Sequence, residues 1–320
     1  MNYEESLKIK TAWYYYIENI TQQKIAEKLG ISRMKVMKLL EKAVQDGTIQ
    51  FHISQEKSHH LKIEQELIHK WQLNDAFVAP AGIHSDKPSV NETVAKAAAM
   101  YIKARLTEDT YINFGYGDTL SKVLNQLAII VETPLSVVSL TGGVSCYLPQ
   151  AFSNIFNIKL YLYPAPLVVS DKMFRASLKK EPSLVEISRM IDFASMTIVG
   201  IGGMDDDATL IKNGVFTKSD FLYLSMAGAA GDILSHFIDK NGDPVQSDIE
   251  DRLLSTPLET LRSLPNVIGV AAGPDKVKAL RAALNGHYLN VLVTDDETAL
   301  SLLQENENHE KMTEFQSNAT

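Results

Sequence analysis

The sequence predicts an α/β protein in which a small N-terminal winged helix-turn-helix precedes a larger domain built on a parallel sheet. Two observations predict this fold class. Residues 21–40 have the layout of a helix-turn-helix, and strand-like apolar runs alternate with helical runs between residues 75 and 303. Such alternation is typical of parallel sheets whose strands are buried on both faces.

The segment TQQKIAEKLGISRMKVMKLL, residues 21–40, carries the helix-turn-helix pattern. Gly30 is expected to end the first helix in the left-handed conformation, and Ser32 to N-cap the second. Apolar residues at helical spacing would join the two helices: Ile25, Ala26 and Leu29 from the first, and Val36, Leu39 and Leu40 from the second. An ordinary helical hairpin with solvated lysines is the alternative interpretation.

The outward side chains of this segment suit phosphates and base edges, because they cluster at the start of the second helix. We expect DNA contacts from Thr21, Gln22, Ser32, Arg33, Met34, Lys35, Met37 and Lys38. A helix over residues 6–18 would precede the motif, with Leu7, Trp13, Tyr14 and Ile17 on its inner face. A turn at Asp46-Gly47 and the alternating IQFHIS predict a wing, so residues 1–54 form the predicted DNA-binding domain.

Residues 59–73 show a helical apolar stripe of Leu61, Ile63, Leu67, Ile68 and Trp71. We expect residues 55–74 to be a linker and oligomerisation helix, because a two-fold dimer would cover a stripe that is otherwise exposed. Residues 75–303 form the predicted large domain. The tail, residues 304–320, is polar and without period, which predicts disorder.

Eight strands are expected in the large domain: Ala76–Val78, Tyr111–Phe114, Ser136–Leu140, Lys159–Tyr163, Thr197–Val199, Phe221–Leu224, Val267–Val270 and Asn290–Val293. Small residues follow most of them, in GYGDT, TGGVS, GIGGM, AGAAGD and AAGPDK. Ligands bind at the carboxyl edge of such sheets. No GxGxxG opens a helix and no Walker A pattern occurs, so neither a dinucleotide nor an ATP site is predicted, and no cofactor is expected.

The charge distribution separates the two predicted domains. Residues 1–60 contain nine Lys/Arg and seven Asp/Glu, although the whole chain has a net charge of −8. A small basic DNA-binding domain attached to a larger acidic domain is the pattern expected of a DNA-binding regulator. The single cysteine, Cys146, permits no internal disulfide, and no signal peptide or membrane-length apolar run is found, so a cytoplasmic protein without a membrane partner is expected.

The order of the motifs FGYGDT, LTGG, YPAP, VGIGG, GAAGDILSHFID, AAGPDKVKAL and LVTDDETA resembles the SorC/DeoR-type sugar-binding transcriptional regulators over residues 7–302. The resemblance implies an effector domain related to sugar-phosphate isomerases and deaminases. It also implies binding to operator DNA and to a phosphorylated sugar or similar metabolite, and assembly as a homodimer or homotetramer.

GAAGDILSHFID resembles the autoinducer-2 uptake regulators of that family in particular. The glycolytic members have a Gly-Thr-Thr style loop where this chain has Gly117-Asp118-Thr119. This difference argues against fructose bisphosphate as the effector.

Gly-rich loops supply the predicted effector site. Gly115, Tyr116, Gly117, Asp118 and Thr119 follow a strand and precede a helix, where backbone amides favour a phosphate. Thr141, Gly142 and Gly143 repeat the arrangement after another strand. Lys276 is expected to add a point charge and Asp232 to accept hydrogen bonds from hydroxyls; the family resemblance supports both roles. Plain tight turns and a solvated lysine are the alternatives.

Other polar clusters are interpreted as structural. Asp205–Asp207 is expected to be a solvated acidic loop rather than a metal site. The run Thr294–Glu297 fits a capping box, with Thr294 as the N-cap and Glu297 at the third helical position, better than a set of catalytic carboxylates. His59 and His60 lack partners at ligand spacing, so no catalytic or metal-binding residue is predicted. A ligand-controlled transcription factor and an enzyme acting on a phosphorylated sugar remain the two function classes, and the helix-turn-helix favours the first.

Overall fold

The computed structural model describes residues 3–18, 20–49, 55–80, 87–108, 110–143 and 158–304, without the side chains of residues 55–58 and 87–89. The chain divides into two compact units, a small unit (Met1–Ser58) and a large unit (His59–Thr320). The strand of the expected wing (residues 50–54), Cys146 and the expected tail beyond residue 304 lie outside the described residues.

The described residues of the small unit form three complete helices: α1 (Tyr3–Tyr16), α2 (Gln22–Leu29) and α3 (Arg33–Gln45). The expected helix-turn-helix is confirmed in α2 and α3. Gly30 ends α2 with φ at 65°, and the hydroxyl of Ser32 accepts a hydrogen bond from the amide of Lys35, 3.2 Å away, at the start of α3. Ile25 and Val36 are completely buried between the helices.

The expected inner face of α1 is confirmed for Leu7 and for Tyr14, which is partly buried against the core, and is wrong for Trp13 and Ile17. Trp13 and Ile17 are 54% and 59% exposed, whereas Leu7, Lys8, Thr11 and Ala12 are buried. Lys8 can be buried because its ammonium group pairs with Asp46, at the end of α3, and with Glu5 at 3.0 Å. A buried charged group that is paired escapes most of its desolvation penalty, so hydrophobicity alone gave a partly wrong helix face.

The described residues between 55 and 304 form nine strands and ten helices. The strands are β1 (Asp75–Ala79), β2 (Tyr111–Phe114), β3 (Leu135–Ser139), β4 (Ile158–Tyr161), β5 (Met196–Gly202), β6 (Ala229–Ile233), β7 (His236–Asp239), β8 (Val267–Val270) and β9 (Val291–Asp295). The helices are α4 (Gln55–Trp71), α5 (Lys87–Lys103), α6 (Asp118–Ile130), α7 (Lys172–Leu178), α8 (Pro182–Ile191), α9 (Thr209–Lys212), α10 (Lys218–Met226), α11 (Leu258–Ser263), α12 (Val277–Asn285) and α13 (296–304). Short 3₁₀ turns occur at Glu250–Arg252 and Pro274–Lys276.

Seven parallel strands form the central sheet in the order β1-β9-β8-β5-β2-β3-β4. From β2 the chain moves outward to β3 and β4, and then returns to β5 on the other side of β2. Successive residues of one strand enter different apolar cores, as Ile198 and Val199 of β5 do, because side chains alternate between the two faces of a sheet. The sheet is therefore buried on both faces, as the apolar runs predicted.

Seven of the eight expected strands are confirmed, and Phe221–Leu224 is wrong because it lies in helix α10. Thr217 and Asp220 form a capping box at the start of this helix. Phe221 and Leu224 are buried while Leu222 is 64% exposed, which is the spacing of a helix rather than of a strand.

The hairpin β6–β7 was not predicted, and it pairs antiparallel with the end of β5. The expected cap at Thr294 is also wrong. Thr294 is buried in β9, and Asp295 caps α13 by accepting the amide of Thr298 at 2.9 Å.

The apolar stripe of α4 is covered by the large unit itself. Ile63, Leu67 and Trp71 are buried in one of its cores, Ile68 packs against that core, and Leu61 is half exposed. The stripe therefore gives no argument for a dimer, contrary to expectation. Among the described residues, no helix is both long enough and apolar enough to cross a membrane.

Leu67 and Leu61 provide a matched test of this packing. We predict that Leu67→Ala lowers the free energy of unfolding of the large unit by about 2–5 kcal/mol, because it leaves a cavity in a closed core. Leu61→Ala removes the same atoms from a half-exposed position of the same helix and should cost less than about 1 kcal/mol. Urea unfolding of the two variants measures both values. Equal losses would contradict the packing of α4.

Candidate functional site

A cavity of about 350 Å³ opens at the carboxyl edge of the sheet. Its floor includes Gly200 and Gly202 of β5 and Val270 of β8, and one wall is the loop that follows β2. Because the chain leaves β2 and β5 in opposite directions, their following loops separate and leave a crevice, which is where open α/β sheets bind ligands. The volume suits a small metabolite rather than a polymer.

The start of α6 forms one wall of this cavity. Gly117 precedes the helix with φ at 138°, and among the described residues no side chain caps this end. The amides of Asp118, Thr119 and Leu120 lie in the first turn, before the first intrahelical bond, from the amide of Ser121 to the carbonyl of Gly117. Amides of a first helical turn, together with the helix dipole, favour an anion at this position.

Asp232 forms the opposite wall, where β6 turns into β7. It is 9% exposed, and its Oδ2 accepts a hydrogen bond from the amide of Ser235 at 3.0 Å. Burial raises the pKa of this carboxyl group to about 6, against the opposing effects of the Lys276 ammonium, the Ser235 amide and His236. Gly202 leaves the space that Asp232 occupies, since a Cβ at Gly202 would lie 1.8 Å from Oδ1.

The turn between β6 and β7 is strained. Leu234 and Ser235 have φ at 53° and 67°, a conformation that side chains other than glycine and asparagine seldom adopt. Both residues line the cavity. The Ser255 hydroxyl donates to the carbonyl of Leu234 at 2.8 Å, which helps to hold the turn. Strain of this kind accumulates at ligand sites, where the surrounding structure imposes the geometry.

Lys276 contributes a cation to the cavity from the turn that precedes α12. Its side chain is 17% exposed, and its ammonium lies 3.4 Å from Asp275 and 3.8 Å from Asp205. The expectation that Asp205–Asp207 is simply solvated is therefore wrong for Asp205, which is half-buried beside this lysine. Within the described ranges, no group of three or more His, Cys, Asp or Glu side chains is arranged to hold a metal ion.

The segment around α9 borders the cavity on a further side. The amide group of Asn213 donates a hydrogen bond to the hydroxyl of Tyr116, on the loop after β2. Lys212 lies 3.3 Å from Asp207 in an exposed ion pair. This segment thus offers both a fixed polar pair and a second cation to a bound molecule.

The structure gathers six of the expected effector-binding residues into this one cavity: Tyr116, Gly117, Asp118, Thr119, Asp232 and Lys276. It does not place Gly115 or Thr141–Gly143 there. The amide of Gly115 bonds to Ile198 at 2.8 Å and extends the pairing of β2 with β5. The amides of Gly142 and Gly143 bond to Leu254 and Ala165, each at 2.9 Å, so they are not available to a phosphate.

Several lining residues were not predicted from the sequence: Asn91, Ser121, Thr209, Lys212, Asn213 and Ser235. They lie on helices and on the strained turn, outside the Gly-rich loops. The one available signal was VGIGG, in which Gly202 and Gly203 make room for Asp232 and for the turn that carries Lys276. A Cβ at Gly203 would lie 2.7 Å from the carbonyl of Asp275.

The expected DNA-contacting residues lie at the starts of α2 and α3 and along α3, and most of them are exposed. Ser32, Arg33, Met34, Lys35, Met37 and Lys38 are all exposed on or beside α3, as is Thr21, and Gln22 is half-buried. Thr21 also N-caps α2 through the amide of Lys24, at 3.4 Å. Met34 is 65% exposed.

Comparison with known proteins identifies both units. Residues 55–304 match the family described as "Putative sugar-binding domain", and residues 13–46 match "Sigma-70, region 4". The chain belongs to this sugar-binding domain family. Transcriptional regulator LsrR from Klebsiella pneumoniae subsp. pneumoniae is 34% identical to it over 304 residues, which cover 94% of this chain and 93% of LsrR. LsrR from Escherichia coli (strain K12) is 33% identical over 305 residues, 94% of this chain and 95% of that protein.

Solved structures share the architecture of this regulator. The full-length sorbitol operon regulator SorC from Klebsiella pneumoniae superposes with a TM-score of 0.68 at 26% identity, covering 95% of this chain and 100% of that chain. A DeoR family transcriptional regulator from Listeria monocytogenes gives 0.69 at 24% identity over 76% of this chain and 99% of that one, a likeness of fold. The chain is thus a SorC-type DNA-binding transcriptional regulator under the control of sugar-type effectors, and not an enzyme.

Asp232 allows a stability test of the cavity. Its carboxyl group ordinarily titrates near 3.8 but near 6 in the fold, so the folded protein binds this proton more tightly than the unfolded chain does. Stability therefore falls as the pH rises from about 4 to 6, and the full cost remains above 6. We predict that Asp232→Asn raises the free energy of unfolding near pH 8 by on the order of 2–3 kcal/mol.

Asp207→Asn is the matched control, because the Asp207 side chain is 74% exposed. It should change stability by less than about 0.5 kcal/mol. Thermal unfolding of the wild-type protein and of both variants, from about pH 4 to pH 8, measures these differences in stability. A pH profile of Asp232→Asn that parallels the wild-type profile would contradict the buried, ionised carboxylate.

Proposed function

We propose that the cavity binds a phosphorylated sugar, polyol or autoinducer-2-like metabolite and that this effector changes the affinity of the regulator for its operator. The observation that carries the proposal is the uncapped start of α6, which faces the same cavity as Lys276. First-turn amides and one ammonium group suit a phosphate monoester. Asp232, Asn91 and Ser235 supply polar groups for the hydroxyls of its carbon skeleton.

The names of the relatives suggest which classes of metabolite to test as effectors. The sorbitol operon regulator SorC is named for an operon of a sugar alcohol, which supports polyols as one class to test, and the LsrR relatives are transcriptional regulators. A thermal-shift screen against phosphorylated sugars, polyols and autoinducer-2 identifies the effector. A compound present at about 100 times its dissociation constant should stabilise the fold by about 2.7 kcal/mol.

We predict that Lys276→Ala binds operator DNA normally but needs roughly 10 to 100 times more effector to respond, since a charge-assisted hydrogen bond contributes about 1.5–3 kcal/mol. Asp232→Ala should show the same uncoupling with a changed sugar preference. The control is Lys278→Ala, which removes an exposed lysine two residues away on α12. DNA-binding titrations with and without effector measure the response. Wild-type sensitivity in both cavity variants would place the site elsewhere.

We further propose that α3 is the recognition helix and enters the major groove of the operator. Its exposed Arg33 lies in the first turn, where recognition helices contact base edges, and Lys38 lies further along on the exposed side. Lys35 is also exposed, and Thr21 and Gln22 lie at the start of α2.

We predict different effects of two substitutions in α3. Arg33→Ala should weaken operator binding by about 1–3 kcal/mol and relax its sequence preference. Lys38→Ala should weaken binding to all sequences and reduce the salt slope by about one unit, because it removes a phosphate contact. The measurement is binding to a duplex that the protein itself selects from a random pool, at several salt concentrations. Lys103→Ala, the same charge change at the end of α5, is the control, and unchanged affinity in Arg33→Ala would refute the assignment.

The regulator is also proposed to act in the cytoplasm, where its operator lies, as a homodimer or homotetramer. One recognition helix reads only a few base pairs, and two-fold assembly would place two of them on half-sites about 10 bp apart or a multiple of that distance. Sedimentation of the protein with DNA tests this assembly. A monomer at micromolar concentration with DNA bound would contradict it.

A further inference from the structure

The charges around the cavity are not balanced by cations. Lys276 faces three carboxylates, because Asp205 and Asp275 lie within 4 Å of its ammonium and it also acts on Asp232. A cation that is shared among three carboxylates neutralises Asp232 only in part. An added anion therefore meets a cavity in which negative charge is already in excess.

Asp232 is the carboxylate in this cavity that is most isolated from water. One oxygen accepts the Ser235 amide, and the other packs over Gly202. Within the described part of the chain, the titratable groups that act on it are Lys276, from the turn before α12, and His236, from β7. His236 is itself engaged, since its Nδ1 lies 2.8 Å from the carboxylate of Glu250 and its Nε2 lies 3.0 Å from the carbonyl of Thr256.

A phosphate monoester that enters this cavity changes the electrostatic environment of the Asp232 carboxylate in two ways. It attracts the Lys276 ammonium away from the protein's own carboxylates, and it adds up to two negative charges nearby. Both changes disfavour the ionised form of Asp232, because a like charge and the loss of an opposite charge each make a carboxylate a weaker acid. Burial already holds the pKa of Asp232 at about 6, so a further rise brings its titration to neutral pH.

We propose that effector binding is coupled to the uptake of one proton by the Asp232 carboxylate, so that the bound effector meets a neutral acid that donates a hydrogen bond. The proton comes from the solvent, and the new O–H donates to an oxygen of the effector. This inference rests on the proposed function of the cavity. It makes the regulator more sensitive to its effector as the pH falls, by roughly tenfold for each unit by which binding raises the pKa of Asp232.

The test counts protons during binding. D-glucitol 6-phosphate is titrated calorimetrically into the full-length protein near pH 7.5 in several buffers of different ionisation enthalpy, and the dependence of the observed heat on the buffer gives the number of protons taken up. Wild-type protein should take up a clear fraction of a proton that Asp232→Asn does not. Asp232→Asn retains a donor at this position but cannot titrate, so its affinity for the probe should depend less on pH than that of wild type.

The controls separate this inference from the proposed function. A phosphate monoester can itself bind a proton near neutral pH, so the infrared measurement below assigns the proton to Asp232 or to the phosphate. If the uptake is equal in the two proteins, the inference is refuted while the site stands. If D-glucitol 6-phosphate and the other phosphate esters of the screen do not bind wild type at all, the proposed function fails instead.

A second measurement does not depend on the variant. Infrared difference spectra of wild-type protein, with and without the probe, should show a new carbonyl band from a protonated carboxyl group. Its absence at saturating probe would overturn the proposal, whatever the behaviour of Asp232→Asn.

Discussion

The parallel pairing of β2 with β5 is the constraint on which the rest of the large unit depends. These two strands are neighbours in the sheet but distant in sequence, and the chain leaves them in opposite directions. Their loops diverge, so α6 starts on one side of a crevice and the hairpin after β5 closes the other side. Without this reversal in strand order, the amides of α6 and the carboxylate of Asp232 would not face one space.

Several features of the crevice walls lower the stability of the folded protein when no ligand is bound. A carboxylate is buried with incomplete neutralisation, and two residues of the β6–β7 turn are held in left-handed conformations. Glycines at 202 and 203 allow this arrangement by removing the side chains that would collide with it. Sequences usually avoid such conflicts except at functional sites, where the rest of the structure compensates for them.

Much of this architecture could be predicted from the sequence, because the buried parallel strands are continuous apolar runs and the helix-turn-helix has a glycine and a cap at fixed positions. The failures have physical causes. Phe221–Leu224 is apolar throughout, which suggested a buried strand. The capping box of Thr217 and Asp220, which precedes this run, instead starts a helix there. The hairpin turn at Leu234-Ser235 has neither glycine nor asparagine. Gly142 and Gly143 resemble an anion loop, but distant segments use their amides, and only the tertiary structure reveals those partners.

The strained turn and the buried Asp232 also affect how long the protein survives in the cell. A molecule that binds the folded cavity and not the unfolded chain lowers the unfolded fraction, about a hundredfold when it is present at 100 times its dissociation constant. Proteases that degrade opened chains act on that fraction. If the cavity binds the proposed effector, a cell that has exhausted the metabolite would lose regulator by turnover as well as by any change at the operator.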